Sequence, residues 1–369
     1  MTTRAAKIAA IAALGTLSFT ACSSSTTPGG TPAPDANSSG QAAALVCPSG
    51  KLTGEGSSAQ KNAIDEVVAA YNKQCKDKAK IEYNPSGSGA GIKNFNAGLV
   101  DFGGSDSALK AEEATAAASR CKSAPAWNLP MVVGPVAFSY NLNGVTKLVM
   151  TPDVLAQIFT GKITTWNDPA IAKINPDAKL PGDKITVFFR SDESGTTENV
   201  TKFLKAAAPS SWTTDASKAW KGVGEGKNKS SGVAEAVKAT PGSIGYLEWS
   251  YAKDNKLGIS QLDMGSGAVE LTSANVGKAL DAAKVSGTGN DLKLDIDYAT
   301  KAQGAYPAIL VTYEIVCSSG LDADKTALLK DFLGFFASKD GQADLEALGY
   351  APLPSSMQQK VQAAVKEIK

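Results

Sequence analysis

Three times in this chain a strand-like segment ends in a turn of serine and glycine and then opens an amphipathic helix. That repetition points to an α/β architecture. The first unit carries Gly54-Glu55-Gly56-Ser57-Ser58-Ala59-Gln60, followed by Ile64, Val67, Val68 and Tyr71 on one helical face. The second follows Ile81-Glu82-Tyr83 with Ser86-Gly87-Ser88-Gly89-Ala90-Gly91 and then Ile92, Phe95 and Leu99. In the third, Val187-Phe188-Phe189-Arg190 leads into Ser191-Asp192-Glu193-Ser194-Gly195-Thr196-Thr197, with Val200, Phe203 and Leu204 in the helical pattern beyond. Each turn has a packing reading, because glycine lets a helix and a strand approach closely. Each also has a binding reading. Hydroxyls and free N–H groups at a helix start favour an anion, and open α/β sheets gather ligands at the carboxyl ends of their strands. The third unit adds Arg190, a permanent charge with a fork of donors, and so reads as an oxyanion cradle.

Composition narrows the chemistry. The chain has 5 cysteines and no histidine, and its formal charge is +1. Without histidine there is no Ser-His-Asp triad, no Cys-His pair and no His-based metal site. The charge balance lacks the basic excess of a nucleic-acid binder, so an anion site has to be built from local dipoles. Gly222-Val223-Gly224-Glu225-Gly226 imitates part of a dinucleotide fingerprint, but it lacks the preceding strand and the third spacing and reads as a loop. No cofactor is expected.

The N-terminus predicts export. Arg4 and Lys7 precede an apolar stretch from Ile8 to Phe19, and Phe19-Thr20-Ala21-Cys22 forms a small-residue cleavage site. The stretch is too short to span a bilayer, so 1–21 reads as a signal peptide. Its removal takes the formal charge from +1 to −1. Cys22 resembles the acyl acceptor of bacterial lipoproteins, and 22–45, rich in Ser, Thr, Pro and Gly, reads as a flexible tether. The remaining cysteines are Cys47, Cys75, Cys121 and Cys317, an even number that implies disulfides in an exported chain. Cys47 and Cys75 fall at one end of a βα unit, while Cys121 and Cys317 flank two strands. The pairing 47–75 with 121–317 is therefore preferred among three connectivities. Zinc is the competing reading, but the short Cys-x2-Cys repeats of structural zinc sites are missing, and no metal is expected.

The ordered set of motifs carries a resemblance. Ser58, Ser86-Gly87-Ser88-Gly89-Ala90-Gly91, Val100-Asp101-Phe102-Gly103-Gly104-Ser105-Asp106, Arg190-Ser191-Asp192-Glu193-Ser194-Gly195-Thr196 and Pro241-Gly242-Ser243-Ile244-Gly245-Tyr246 follow one another at family spacings. With Ile158-Phe159-Thr160-Gly161-Lys162-Ile163-Thr164-Thr165-Trp166-Asn167-Asp168-Pro169 and Tyr306-Pro307-Ala308-Ile309-Leu310, they resemble the PstS family of periplasmic-type phosphate-binding proteins, in its mycobacterial lipoprotein branch. The resemblance runs from about Lys51 to the C-terminus.

It implies a two-lobed α/β periplasmic-binding-protein fold, type II-like, with lobes joined by two crossing segments. Lobe 1 would combine 46–132 with 308–369, and lobe 2 would be the insert 133–307. Val132 to Leu142 and Ala308 to Val316 read as the crossing strands. The apolar stripes Leu328, Leu329, Phe332, Phe335, Phe336 and Met357, Val361, Val365, Ile368 read as core-facing helices.

The implied phosphate ligands are Ser58, Ala59, Ser88 and Asp106 from one lobe and Arg190, Ser194, Gly195 and Thr196 from the other, with Asp192 holding the arginine. Asp106 would accept the proton of hydrogen phosphate and so reject sulfate, which has none to give. Ala59 stands where many relatives place an aromatic residue, and Glu193 where a small residue is common; Glu193 is expected to face solvent. The implied activity is extracytoplasmic phosphate binding by a membrane-anchored monomer that delivers to the permease subunits and ATPase of an ABC importer. Two competing readings are a binding protein for sulfate or molybdate, and a phosphatase using Ser194 as nucleophile. Asp106 opposes the former; the latter lacks a His base, a metal cluster and a G-x-S-x-G elbow.

Overall fold

In the computed structural model, which describes residues 45–369, the strand-turn-helix units assemble around one long mixed sheet. Its order is Ala79–Asn84, Gly50–Gly56, Phe102–Ser105, Ile309–Cys317, Ala126–Asn141, Ser243–Glu248, Thr186–Arg190 and Glu225–Lys227, with Gly258–Ile259 added beside Ala126–Asn141. The outer strands pair in parallel on each side, Gly50–Gly56 with both neighbours and Thr186–Arg190 with both of its own. The middle is antiparallel, because Ile309–Cys317 and Ala126–Asn141 run against each other and against the strands beside them. Parallel strands need helical crossovers, and the apolar faces foreseen in the sequence supply them. The helix Lys61–Cys75, for example, buries Ile64, Val67, Tyr71 and Cys75.

The two central strands serve two separate cores. Leu129, Met131 and Val132 pack with Leu52, Val67, Tyr71, Phe102 and Phe332, whereas Val133, Val136, Ala137 and Phe138 pack with Phe159, Phe203, Leu204 and Tyr246. The opposite strand changes allegiance as well. Ile309, Leu310, Val311 and Tyr313 belong to the second core, and Val316 to the first. Both central strands are buried along nearly their whole length, which requires near-continuous apolar sequence and explains Met131-Val132-Val133 and Ile309-Leu310-Val311. The register of this pair shifts between Thr312 and Tyr313, a bulge that sits directly beside the site described below.

The C-terminal helices behave as their stripes predict. Leu328, Leu329, Phe332, Phe335 and Phe336 of Ala323–Phe336 are buried, as are Val361 and Val365 of Ser355–Lys366 and Ile368 beyond it. Disulfides join Cys47 to Cys75 and Cys121 to Cys317, with Cα separations of 5.2 and 5.4 Å, which is the preferred pairing. Asp331 ties the start of the folded chain to the first core. It accepts from the Val46 and Cys47 N–H groups at 2.9 and 3.0 Å and from Tyr71 Oη at 2.8 Å. One expectation changes: Gly222–Gly226 is not wholly loop, since Glu225–Lys227 pairs in parallel with Phe188–Arg190. Backbone pairing to an established strand outweighs the poor strand propensity of Glu-Gly-Lys. The expected signal peptide, the acyl acceptor Cys22 and the tether apart from Leu45 lie outside the described residues.

Candidate functional site

The turns that follow the parallel strands converge on one buried constellation. From the first core's side come Ser57 and Ser58 after Gly50–Gly56, Ser88 at the start of helix Ser88–Asn96, and Asp106 after Phe102–Ser105, all at most 2 % exposed. From the other side come Arg190 at the end of its strand, Ser194, Gly195 and Thr196 at the start of helix Gly195–Ala207, and Ser230 at the start of Lys229–Ala239. The two halves touch directly. Ser58 Oγ lies 3.1 Å from Ser230 Oγ, and Asn199 Nδ2 donates to the Asp106 carbonyl at 2.7 Å.

Asp106 is held by hydroxyls. Its Oδ1 accepts from Ser57 Oγ at 2.5 Å and Thr312 Oγ1 at 2.7 Å, and its Oδ2 from Ser88 Oγ at 3.0 Å. Burial pushes its carboxyl up to about 6; the Ser57 hydrogen bond opposes the rise and the Glu248 charge adds to it. The group is therefore ionised at neutral pH yet close to its proton. The bulge at Thr312 places that hydroxyl at the carboxylate across a sequence distance of 206 residues.

Arg190 is fully gripped. Nε donates to Asp192 Oδ1 at 2.8 Å and Nη2 to Asp192 Oδ2 at 2.5 Å, a bidentate pair that fixes the guanidinium plane. Burial would lower the arginine's pKa, but the Asp192 pair outweighs it and holds the charge. Asp192 shows the mirror balance. Burial raises it, and the arginine brings it below the ordinary carboxylate range. The Lys229 N–H, on a left-handed backbone at φ 62, also donates to Asp192 at 3.0 Å. Nη1, the corner turned away from Asp192, donates to Ser230 Oγ at 2.8 Å and Thr196 Oγ1 at 3.2 Å.

The helix start at Ser194 is capped in the ordinary way, its Oγ accepting from the Thr197 N–H at 3.1 Å, which leaves the hydroxyl proton for another acceptor. Gly195 lies so close to the other side that a Cβ there would stand 2.5 Å from Ser88 Oγ and 2.6 Å from the Asp106 Cβ. Three tyrosines hold the Ser57–Ala59 backbone by its carbonyls: Tyr83 Oη at 2.9 Å, Tyr251 Oη at 2.9 Å and Tyr350 Oη at 2.7 Å. In a trans peptide the next N–H points the opposite way, so the tyrosines orient the donors of this turn. The Ala59 N–H itself donates to Ser57 Oγ at 3.0 Å. Glu193 is exposed and paired with Lys93 at 2.8 Å, while its carbonyl accepts from the Gly89 N–H at 2.9 Å.

All of Ser58, Ala59, Ser88, Asp106, Arg190, Asp192, Ser194, Gly195 and Thr196 are thus brought together. The sequence reading passed over Ser57, Ser230, Glu248 and Thr312. Ser230 has a signal, since Asn228-Lys229-Ser230-Ser231-Gly232 is a fourth hydroxyl-rich strand-to-helix turn, hidden because the strand before it has the loop-like sequence Glu225-Gly226-Lys227. Ser57 was in view beside Ser58. Glu248 and Thr312 end or interrupt strands in ways that carry no local signature.

Such a set can bind a tetrahedral oxyanion. It offers one fixed cation, hydroxyls and helix-start N–H groups as donors, and a carboxylate that can only accept while ionised. Comparison with known proteins agrees. Residues 26–340 match the family model described as a PBP superfamily domain. The chain is 45 % identical over 336 residues to phosphate-binding protein PstS3 of Mycobacterium bovis (strain BCG / Pasteur 1173P2), covering 89 % of this chain and 90 % of the relative. It is 40 % identical over 373 residues to PstS2 of the same organism, covering 99 % of each. Among solved structures, a high affinity periplasmic phosphate-binding protein bound with phosphate superposes with a TM-score of 0.67 at 23 % identity, over 85 % of this chain and 93 % of that one. A putative phosphate ABC transporter substrate-binding protein from Clostridium perfringens gives a TM-score of 0.60 at 21 % identity, over 82 % and 100 %. The chain belongs to the PBP superfamily and, within it, to the family of PstS phosphate-binding proteins.

Proposed function

We propose that this protein binds inorganic phosphate between its two cores and delivers it to an ABC importer. The observation that carries the reading is the opposition of Arg190, locked by Asp192, to Asp106, locked by Ser57, Ser88 and Thr312. A cation alone would hold any oxyanion; an ionised carboxylate beside it admits only an anion that brings a proton. Ser58, Ala59, Ser88 and Asp106 on one side, and Arg190, Ser194, Gly195 and Thr196 on the other, form the proposed ligand set, with Asp192 positioning the arginine. The two lobes are proposed as 46–132 with 308–369, and 133–307, closing on the ligand, with the crossing strand packed on the second core from Ile309 to Tyr313 before it enters the first. Delivery would be to membrane permease subunits and an ATPase by a monomer anchored through acylated Cys22, outside the cytoplasmic membrane.

Contact between the two sides at Ser58–Ser230 and Asn199–Asp106 supports an enclosed site, which would exclude an ester substituent. Calorimetry of the ligand-stripped protein with phosphate, sulfate and glucose phosphate tests the reading. Phosphate is expected to bind and the other two to bind far more weakly. Absence of phosphate binding at neutral pH overturns the function, and tight binding of glucose phosphate overturns the enclosed site.

A further inference from the structure

Glu314 lies in the central strand Ile309–Cys317, two residues beyond Thr312, and is fully buried. Its partner across the ladder is Gly104. A Cβ at Gly104 would collide with Tyr83 Oη and Gln60 Nε2, so the glycine makes room for these side chains behind the Ser57 turn. Gln60, just before helix Lys61–Cys75, is fully buried as well, and its amide abuts both the Tyr83 hydroxyl and the Glu314 carboxyl. Gln60 Nε2 and Oε1 and Glu314 Oε1 and Oε2 are all buried without a hydrogen-bond partner among the described residues.

Those four atoms are complementary in one protonation state only. A carboxylic acid and a primary amide can close a ring of two hydrogen bonds, acid O–H to amide carbonyl and amide N–H to acid carbonyl. An ionised carboxylate has no proton for Gln60 Oε1 and would lie buried against an acceptor. Asp106 and Tyr83 are the ionisable groups beside Glu314, and neither offers a positive charge. Burial accordingly pushes the Glu314 carboxyl well above the ordinary carboxylate range, against the Gln60 amide and with the Asp106 charge adding to the rise. The second N–H of the amide remains for Tyr83 Oη, whose own proton goes to the Ser57 carbonyl at 2.9 Å. The Ser57 N–H donates to the Gly104 carbonyl at 2.8 Å, so the cluster and the turn share one anchor.

We propose that Glu314 is a neutral acid paired with Gln60, and that this pair is a positioning device, fixing Tyr83 and through it the Ser57–Ser58 turn. Its bearing on phosphate rests on the reading of the site as a phosphate site.

Infrared spectroscopy of the ligand-free protein reads the acid directly, because a protonated carboxyl absorbs apart from carboxylates. In mildly alkaline buffer Asp106, at about 6, is ionised, and the parent should still show a protonated-carboxyl band. Glu314→Gln should abolish that band, and Gln60→Leu should shift it because the acid carbonyl loses its donor. Absence of the band in the parent, or a band that both variants leave unchanged, overturns the proposal. Calorimetry reads the positioning. Glu314→Leu leaves the Gln60 amide unpaired and should weaken phosphate binding about tenfold, while Glu314→Gln, whose amide pairs with Gln60 again, should recover most of the loss. Full affinity in folded Glu314→Leu overturns the positioning role, and a Glu314→Gln as weak as Glu314→Leu overturns the neutral acid. If neither variant at 314 folds, the parent band and its shift in Gln60→Leu decide. A parent that binds no phosphate overturns the function and the positioning role with it, whereas the infrared measurements read the acid–amide pair without ligand.

Discussion

The two halves of the site solve different problems with the same turn. On the side of the first core, three hydroxyls converge on the Asp106 carboxylate, and burial lifts its pKa to about 6. On the side of the second core, Arg190 and Asp192 form a bidentate pair, and each holds the other's charge against burial. The contrast separates affinity from selectivity. In the proposed function the arginine half, electrostatically stiff, would supply attraction to any oxyanion. The aspartate half, lifted toward its own titration, would read whether the oxyanion carries a proton.

The largest expected effect comes from dismantling the stiff half. Arg190→Ala removes a charge-assisted contact and leaves Asp192 buried without its partner, and it should weaken phosphate binding at least tenfold, on the order of 2–5 kcal/mol. Titration of folded variant measures this; affinity within threefold of the parent would show that the attraction resides elsewhere. Breaking the other half should change preference more than strength. Asp106→Asn keeps the shape but supplies an amide donor, and the sulfate-to-phosphate affinity ratio should rise by about tenfold, on the order of 1–2 kcal/mol. An unchanged ratio at neutral pH would end the proton-reading role of Asp106.

Acid should imitate that mutation. As pH falls through about 6, Asp106 gains a proton and becomes a donor, so sulfate should compete better in the parent while Asp106→Asn shows no such midpoint. Thr312→Val sharpens the same test. It removes one donor from the ionised Asp106, raises its pKa further, and should move the onset of sulfate competition to higher pH. The smallest effect is expected at the rim. Lys93 and Glu193 join the halves through solvent-exposed side chains, and Lys93→Ala should change phosphate affinity by less than about fivefold, within ~1 kcal/mol. A larger loss would mean that the rim, and not the buried constellation, holds the halves together.

Legibility in the sequence followed the range of the interaction. Helix faces, the Ser/Gly turns and the position of Arg190 at a strand end are set by spacing within a few residues, so they could be read directly. Asp192 was also within reach, two residues from the arginine it grips. The cysteine pairing was preferred because each pair flanks a strand or a βα unit, and the fold brings those ends together. The short strand Glu225–Lys227 was missed because its pairing to Phe188–Arg190, not its own side chains, makes it a strand. Ser230 disappeared from view with it.

Local sequence supplies the parts: an α/β chain with hydroxyl-rich helix starts, one arginine placed to meet them, no histidine, and cysteines suited to an oxidising compartment. How these parts address one another depends on which distant strands pack together. Thr312 reaches Asp106 across a bulge in a central strand, Ser58 meets Ser230 from the opposite half, and Glu248 accepts a hydrogen bond from Thr196. The reason is physical. A turn's conformation follows from its own residues, whereas the burial and charge that set the protonation of Asp106 arise from strands that meet only once both cores have formed.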